Sequence, residues 1–323
     1  MGCRDLFLRH NPNLPHRPNA AKRSVSDTVT ESPAIEIREL EKSYGKFRAL
    51  RGIELEVGRG EIFGFLGPNG AGKTTAIRCL LDLIRPDRGH LRVLGLDPQS
   101  SPVEVRARTG YLPGELNLDD NLTARGALQL FDRLRGGRTQ WGLVEEIASR
   151  LDLDLGRHIK NFSKGNKQKV GIVQAFMHQP ELLLLDEPTS GLDPLIQQVV
   201  LELVREAQGR GATVFFSSHV LSEVQDLAAR VAIVRAGEII ETSDTDSLIR
   251  KSFLNATFTL ADPVGPDELS AVPGITLIRQ AGPTFQVKIE GPIAPLLEMI
   301  TPRGVEHLET ERPSLEEIFL NYY

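Results

Sequence analysis

The sequence predicts an α/β protein built on a mostly parallel sheet, with a second, smaller α+β domain behind it. Three stretches carry that prediction. LLLLDEPTSGLDP at 182–194 is an apolar run that stops at two adjacent carboxylates, Asp186 and Glu187. Four leucines between polar residues read as a strand buried on both faces of a parallel sheet. GPNGAGKTT at 67–75 follows EIFGFL (61–66), a short buried strand, and precedes Ala76, Ile77, Leu80, Leu81 and Ile84 at helical spacing. Past about residue 250, NATFTL, ITLIRQ, TFQVKIE and VEHLETE read as strands, and PIAPLLEMI and SLEEIFLNY as helices.

The loop at 67–75 has the phosphate-loop spacing: Gly, four residues, Gly, Lys, Thr. Its residues are Gly67, Pro68, Asn69, Gly70, Ala71, Gly72, Lys73, Thr74 and Thr75. The glycines let backbone N–H groups turn inward around phosphate oxygens, and the following helix N-terminus adds its dipole. Lys73 supplies a cation to the β- and γ-phosphates, and the Thr74 hydroxyl a ligand for Mg²⁺. A flexible glycine turn is the bland alternative, and the strand before and helix after the loop argue against it.

Side chains at the carboxyl end of a parallel strand face the crevice where open α/β sheets bind ligands. Burying carboxylates there is costly unless a cation or bound phosphates compensate. Asp186 therefore pairs with Lys73 and Thr74 as the metal-holding half of one nucleoside-triphosphate site. The competing reading makes 186–188 a helix N-terminus with two acidic caps.

The class of site follows from the neighbouring motifs. A GTPase needs Asn-Lys-x-Asp, and the nearest string, Asn166-Lys167-Gln168-Lys169, ends in a cation. Instead, NFSKGNKQKVGIVQAFMHQPELLLLDEPTSGLDP at 161–194 resembles the ATP-binding subunit of ABC transporters. Most of 34–246 is covered. FSKGN (162–166) is similar to the family signature, SGLD (190–193) to the D-loop, His219 in SSHVLSEV to the switch histidine, and Tyr44 in KSYGKFRAL to the adenine-stacking aromatic.

The resemblance implies a P-loop ATPase core with a mostly parallel sheet, an antiparallel β region and an α-helical subdomain, the last at about 102–158. It implies ATP and Mg²⁺ as ligands, Glu187 polarising the attacking water, and His219 donating to the γ-phosphate or that water. Ser163, Gly165, Asn166 and Asp193 would meet ATP held by a second copy of the chain in a head-to-tail dimer. As residues alone, Tyr44 is equally a half-buried strand residue, His219 a structural strand-end histidine, and Ser163 simply an N-cap. Asn166 stands where a longer Gln would complete a capping box.

The chain departs from the family pattern at two places. Lys164 and Asn166 replace the signature's usual Gly and Gln. After GYLP (110–113), Gly114 stands where a metal-touching Gln is common, leaving Glu115 or a water to substitute.

Composition agrees. The 323 residues are 40% hydrophobic, enough for a large core and a smaller one. Net charge is −5, and residues 1–33 carry five basic and three acidic groups, so the rest carries −7. No nucleic-acid partner is expected of such a surface. Two cysteines support neither a disulfide framework nor a Cys-rich metal site. No stretch approaches the roughly 20 apolar residues that span a bilayer, and no signal peptide is legible. A transporter ATPase of this kind needs a separate membrane permease, which would hold it at the cytoplasmic face of the membrane. Residues 1–33 read as a disordered tail, 34–246 as the ABC ATP-binding domain, and 250–323 as a ferredoxin-like accessory domain resembling the extension on ABC-2-type exporter ATPases. The alternatives are soluble ABC ATPases acting on ribosomes, which usually carry two cassettes, or on DNA, which separate their motifs by a long coil. Here 113 positions part Lys73 from Asp186 without sustained heptads.

Overall fold

A computed structural model describes residues 32–247, 253–262 and 264–311. The tail expected at 1–33 falls outside them up to residue 31, as does the helix read from SLEEIFLNY. The chain order is β1 (Ile35–Tyr44), β2 (Phe47–Val57), β3 (Ile62–Leu66), α1 (Lys73–Leu80), β4 (Arg88–Val93), α2 (Pro102–Ala107), β5 (Thr109–Leu112), α3 (Ala124–Leu134), α4 (Trp141–Arg150), α5 (Lys164–Phe176), β6 (Leu182–Asp186), α6 (Pro194–Gly209), β7 (Thr213–Ser218), α7 (Leu221–Leu227), β8 (Arg230–Arg235) and β9 (Glu238–Asp244). A second group follows: β10 (Leu254–Leu260), α8 (Pro266–Ser270), β11 (Ile275–Ala281), β12 (Thr284–Ile289), α9 (Ala294–Ile300) and β13 (Val305–Glu311).

The central sheet runs β5-β6-β7-β3-β8-β9, parallel except for β9, which pairs antiparallel with β8. Because strand side chains alternate between faces, the leucine run of β6 serves two cores. Leu183 and Leu185 pack with Val214 and Phe216 against α3 to α7. Leu182 and Leu184 pack with Phe63, Phe65 and Phe215 against α1 and the antiparallel sheet β2-β1-β4. That double burial is why the run shows no polar alternation. Phe215 stacks on Phe63 with centroids 5.9 Å apart and meets Phe65 at 5.3 Å.

Two sequence expectations need correction. The stretch 102–158 is not wholly helical, since TGYL at 109–112 forms β5, the edge strand paired parallel to Leu182–Leu185. Four residues flanked by helices are too few to show strand periodicity, and only the pairing partner reveals them. The helical insert therefore begins after β5. Helix α1 also ends at Leu80, short of the pattern that ran to Ile84; Asp82 at φ 50 breaks it.

The last six elements form a four-stranded antiparallel sheet, order β11-β12-β10-β13, in βαββαβ sequence. This is the ferredoxin-like arrangement. One face carries its own core, with Phe258 and Phe285 stacked at 5.5 Å and Leu269, Leu296 and Ile300 supplied by the two helices.

Phe215 is fully buried between two aromatic neighbours, so Phe215→Ala should destabilise the protein by about 3–5 kcal/mol. A fall in the urea midpoint checks this.

Candidate nucleotide-binding and catalytic site

The loop between β3 and α1 closes around Lys73. Gly72, the N-cap of α1, has φ 108, and a Cβ there would lie 2.6 Å from the Ala49 carbonyl oxygen. Only glycine permits both. The same contact fixes the loop beside β2, so the β1–β2 hairpin that ends in exposed Tyr44 is anchored next to it. Lys73 Nζ donates to the carbonyls of Gly67 (2.6 Å) and Pro68 (3.2 Å) and lies 3.5 Å from Glu187 Oε1. Burial pushes the Lys73 ammonium below the usual lysine range, while the carboxylates of Glu187 and Asp186 push it back up.

Asp186 ends β6 almost wholly buried. Its Oδ2 accepts from Thr74 Oγ1 at 2.6 Å and its Oδ1 from Ser217 Oγ at 2.5 Å. The 186–187 pair is not a helix cap. The helix start lies further on, where Asp193 caps α6 by accepting from the Ile196 N–H at 3.1 Å and Pro194 takes the first helical position. Glu187 adopts φ 52, a left-handed conformation that costs a side-chain-bearing residue energy and needs surrounding support. Its N–H donates to Ser217 O (3.2 Å) and Oγ (3.1 Å), and its carbonyl accepts from Gln168 Nε2 at 3.2 Å. The turn swings the side chain so that Oε1 sits between Lys73 and His219, whose Nδ1 is 3.2 Å away.

Thus the structure brings the phosphate loop, Asp186, Glu187 and His219 together. Thr74 and Asp186 offer an alcohol and a carboxylate, the hard oxygen pair that suits Mg²⁺ when substrate phosphates complete the shell. No group of three or more His, Cys, Asp or Glu among the described residues makes an all-protein cage. Gly114 abuts the Asp186 carboxylate, where a Cβ would be 3.2 Å from Oδ2. Glu115, considered as a substitute ligand, is exposed and instead lines a surface cavity with Arg106, Phe131 and Arg135.

Ser163, Gly165, Asn166 and Asp193 form a separate group. Ser163 caps α5 by accepting from the Asn166 N–H at 3.3 Å. Gly165 lies so close to the Gly191 carbonyl that a Cβ would approach it to 2.7 Å, which presses the signature loop onto the D-loop of the same chain. Among the described residues, no hydrogen bond or ion pair joins the side chains of Ser163, Asn166 and Asp193 to Lys73, Asp186 or Glu187.

Residues 50–190 match the ABC transporter family. Daunorubicin resistance ATP-binding protein DrrA3 of Streptomyces coeruleorubidus is 34% identical over 304 residues, covering 89% of this chain and 95% of that protein. The bacitracin transport ATP-binding protein BcrA of Bacillus licheniformis is 36% identical over 234 residues, 72% of this chain and 76% of its own. The chain belongs to the ABC transporter ATP-binding family. A solved ATP-binding subunit of an ABC transporter superposes with TM-score 0.62 at 30% identity, covering 67% of this chain and 92% of that one. As a member of the family the chain is an ATP-binding, ATP-hydrolysing subunit. No helix among the described residues is long and apolar enough to cross a membrane.

Several residues at the site were not singled out from the sequence. Ser217 and Ser218 stand out only afterwards, as two hydroxyls closing the apolar run VFFSS. Gln168 is a polar residue on a helix buried nearly all round, a signal that becomes legible once α5 is known to be a core helix. Glu223 carries no pattern of its own.

A cavity of about 820 Å³ opens among α2 to α5, lined by Arg106, Arg135, Arg138, Phe131, Gln174 and His178, among others. None of the three arginines has an acidic ion-pair partner within 4.0 Å among the described residues; Arg135 donates instead to the Arg106 and Thr109 carbonyls. Burial, with Arg135 beside it, pushes His178 down to about 4. An unfolded histidine titrates near 6.5, so between those values the unfolded chain binds the extra proton. Stability should fall as pH drops from about 6.5 to 4. Urea midpoints at pH 7 and 5 should show a smaller drop in His178→Gln.

Proposed function

We propose that this subunit binds and hydrolyses Mg·ATP in a head-to-tail dimer and so powers export through a separate membrane permease. One observation carries the catalytic part: Glu187 Oε1 lies between Lys73 Nζ and His219 Nδ1 at the mouth of the phosphate loop. In this reading Tyr44 stacks on the adenine, and the loop N–H groups with Lys73 hold the phosphates. Mg²⁺, held by Thr74 and Asp186, supplies charge neutralisation to the β- and γ-phosphate oxygens when bound. Glu187 accepts a proton from the attacking water as its oxygen bonds to the γ-phosphorus. The bond to the β–γ bridging oxygen breaks, and ADP leaves. His219 holds Glu187 and the γ-phosphate in register.

Ser163, Gly165, Asn166 and Asp193 complete the site of a second copy. Their separation from Lys73 within one chain supports this, because a two-fold seam supplies two such composite sites. Lys164, exposed beside them, adds a cation toward phosphate. Export is supported by the relatives named for drug resistance and bacitracin transport. The permease docks on the arginine-lined cavity among α2 to α5, whose guanidiniums, without acidic partners among the described residues, suit an acidic segment.

Glu187→Gln keeps the shape and loses the base. It should bind ATP normally, lower kcat by about 100-fold or more, and accumulate a dimer with Mg·ATP on gel filtration. A profile that stays monomeric in this variant counts against the head-to-tail dimer. Lys73→Ala removes a charge-assisted phosphate contact and should weaken ATP binding by roughly 10–100-fold in a fluorescent-nucleotide titration. Unchanged affinity overturns the site assignment.

A further inference from the structure

We propose that Glu223 is a positioning residue that binds the Glu187–Asp193 loop to the His219 loop, so that the two move as one body during the ATPase cycle. This rests on the roles given above to Glu187 and His219.

Glu223 lies on α7, four residues past His219, and is only 8% exposed. Its two oxygens serve two different loops. Oε1 accepts from Thr189 Oγ1, and Oε2 accepts from Ser218 Oγ at 2.8 Å. Both hydroxyl residues are buried, at 4% and 2% exposure. Thr189 stands two positions after Glu187, and Ser218 immediately before His219. Ser218 Oγ also accepts from the Val220 N–H at 2.9 Å, closing the turn that presents His219.

A buried carboxylate is costly unless its charge is answered. Among the described residues no Lys, Arg or His lies within 4.0 Å of Glu223. Anchoring α7 does not need it, because Val224 on the same helix is fully buried in the core. The Glu223 carboxyl is placed to accept from both hydroxyls at once, one per oxygen.

The Thr189 end is rigidly joined to the catalytic residues. The Ser190 N–H donates to the Glu187 carbonyl (3.1 Å), the Leu192 N–H to the Thr189 carbonyl (3.2 Å), and Gln197 Nε2 to the carbonyls of Thr189 (3.4 Å) and Leu192 (3.1 Å). A displacement of Thr189 is therefore shared by Glu187 and Asp193. The two loops meet a second time at the surface, through Glu187 Oε1 and the half-exposed His219. That outer link must open whenever Glu187 turns to water. The buried link through Glu223 has no such duty and holds the loops in register meanwhile.

The test uses the full chain, with steady-state ATPase, fluorescent-nucleotide titration and thermal midpoints measured together. Thr189→Val is isosteric and removes one donor; it should lower kcat about tenfold while ATP affinity stays within about twofold. Thr189→Ser keeps the hydroxyl and should restore kcat. Ser218→Ala cuts the other half of the tie and also frees the Val220 N–H, so it should lower kcat at least as much as Thr189→Val. Glu223→Met, similar in length but without either oxygen, should slow turnover similarly, and adding Thr189→Val to it should cost at most about twofold more, since the tie is already broken. Wild-type kcat in Thr189→Val, full additivity in the double variant, or equal loss of kcat and thermal midpoint in Thr189→Ser and Thr189→Val would overturn the proposal. Glu187→Gln is the control. If it alone is slow, only the coupling fails; if it too keeps full activity, the reading of Glu187 fails and this inference with it.

Discussion

Everything at this site is arranged around the problem of ending a buried strand in two carboxylates. Strand β6 spends its leucines on two cores and then delivers Asp186 and Glu187 side by side, with nowhere to send both. Asp186 is settled by two hydroxyls, from Thr74 on α1 and Ser217 on β7. Glu187 is settled by a left-handed turn that lifts its side chain out toward Lys73 and His219. Each solution recruits a different neighbour, so the phosphate loop, β7 and α5 must all be in place before the pair is tolerable.

The legible part of the sequence was the part whose physics is local. A phosphate loop needs its glycines and lysine at fixed spacing, and a doubly buried strand needs an unbroken apolar run, so 61–84 and 182–186 announce themselves. Strands β10 and β12 are legible for the same reason: one face packs, the other does not, and residues such as Phe258 and Phe285 alternate with polar neighbours. What could not be read depends on pairing across the chain. TGYL becomes β5 only because Leu182–Leu185 lies beside it. Gln168, Thr189, Ser218 and Glu223 are ordinary polar residues until distant segments bring them together underground. Gly114 reads as a missing ligand in sequence, whereas in space its backbone lies against Asp186 with little room for a side chain.

The same distinction explains the signature residues. Ser163 caps a helix and Asp193 caps another, and either could be judged purely structural. Gly165 is pressed onto the Gly191 carbonyl, so these two caps form one surface rather than two accidents. Among the described residues no hydrogen bond or ion pair links the side chains on that surface to Lys73, Asp186 or Glu187, which suits the composite site proposed between copies.

Helix α5 then has two attachments with different destinations. Its first turn carries Ser163, Gly165 and Asn166, which the proposed dimer places on the partner's nucleotide. One turn later, Gln168 donates to the carbonyls of Glu187 and Pro188 in its own chain, at 3.2 and 3.3 Å. The carbonyl it holds at Glu187 belongs to the residue whose left-handed backbone aims the catalytic carboxylate. A nucleotide gripping the first turn of α5 therefore pulls, within five residues, on the turn that sets Glu187 for the other nucleotide. With α5 buried over most of its length and unable to yield by bending away, the two half-sites of one subunit are mechanically joined. In the proposed dimer, Gln168 is therefore the shortest hydrogen-bonded connection between the helix end given to one nucleotide and the turn that sets Glu187 for the other.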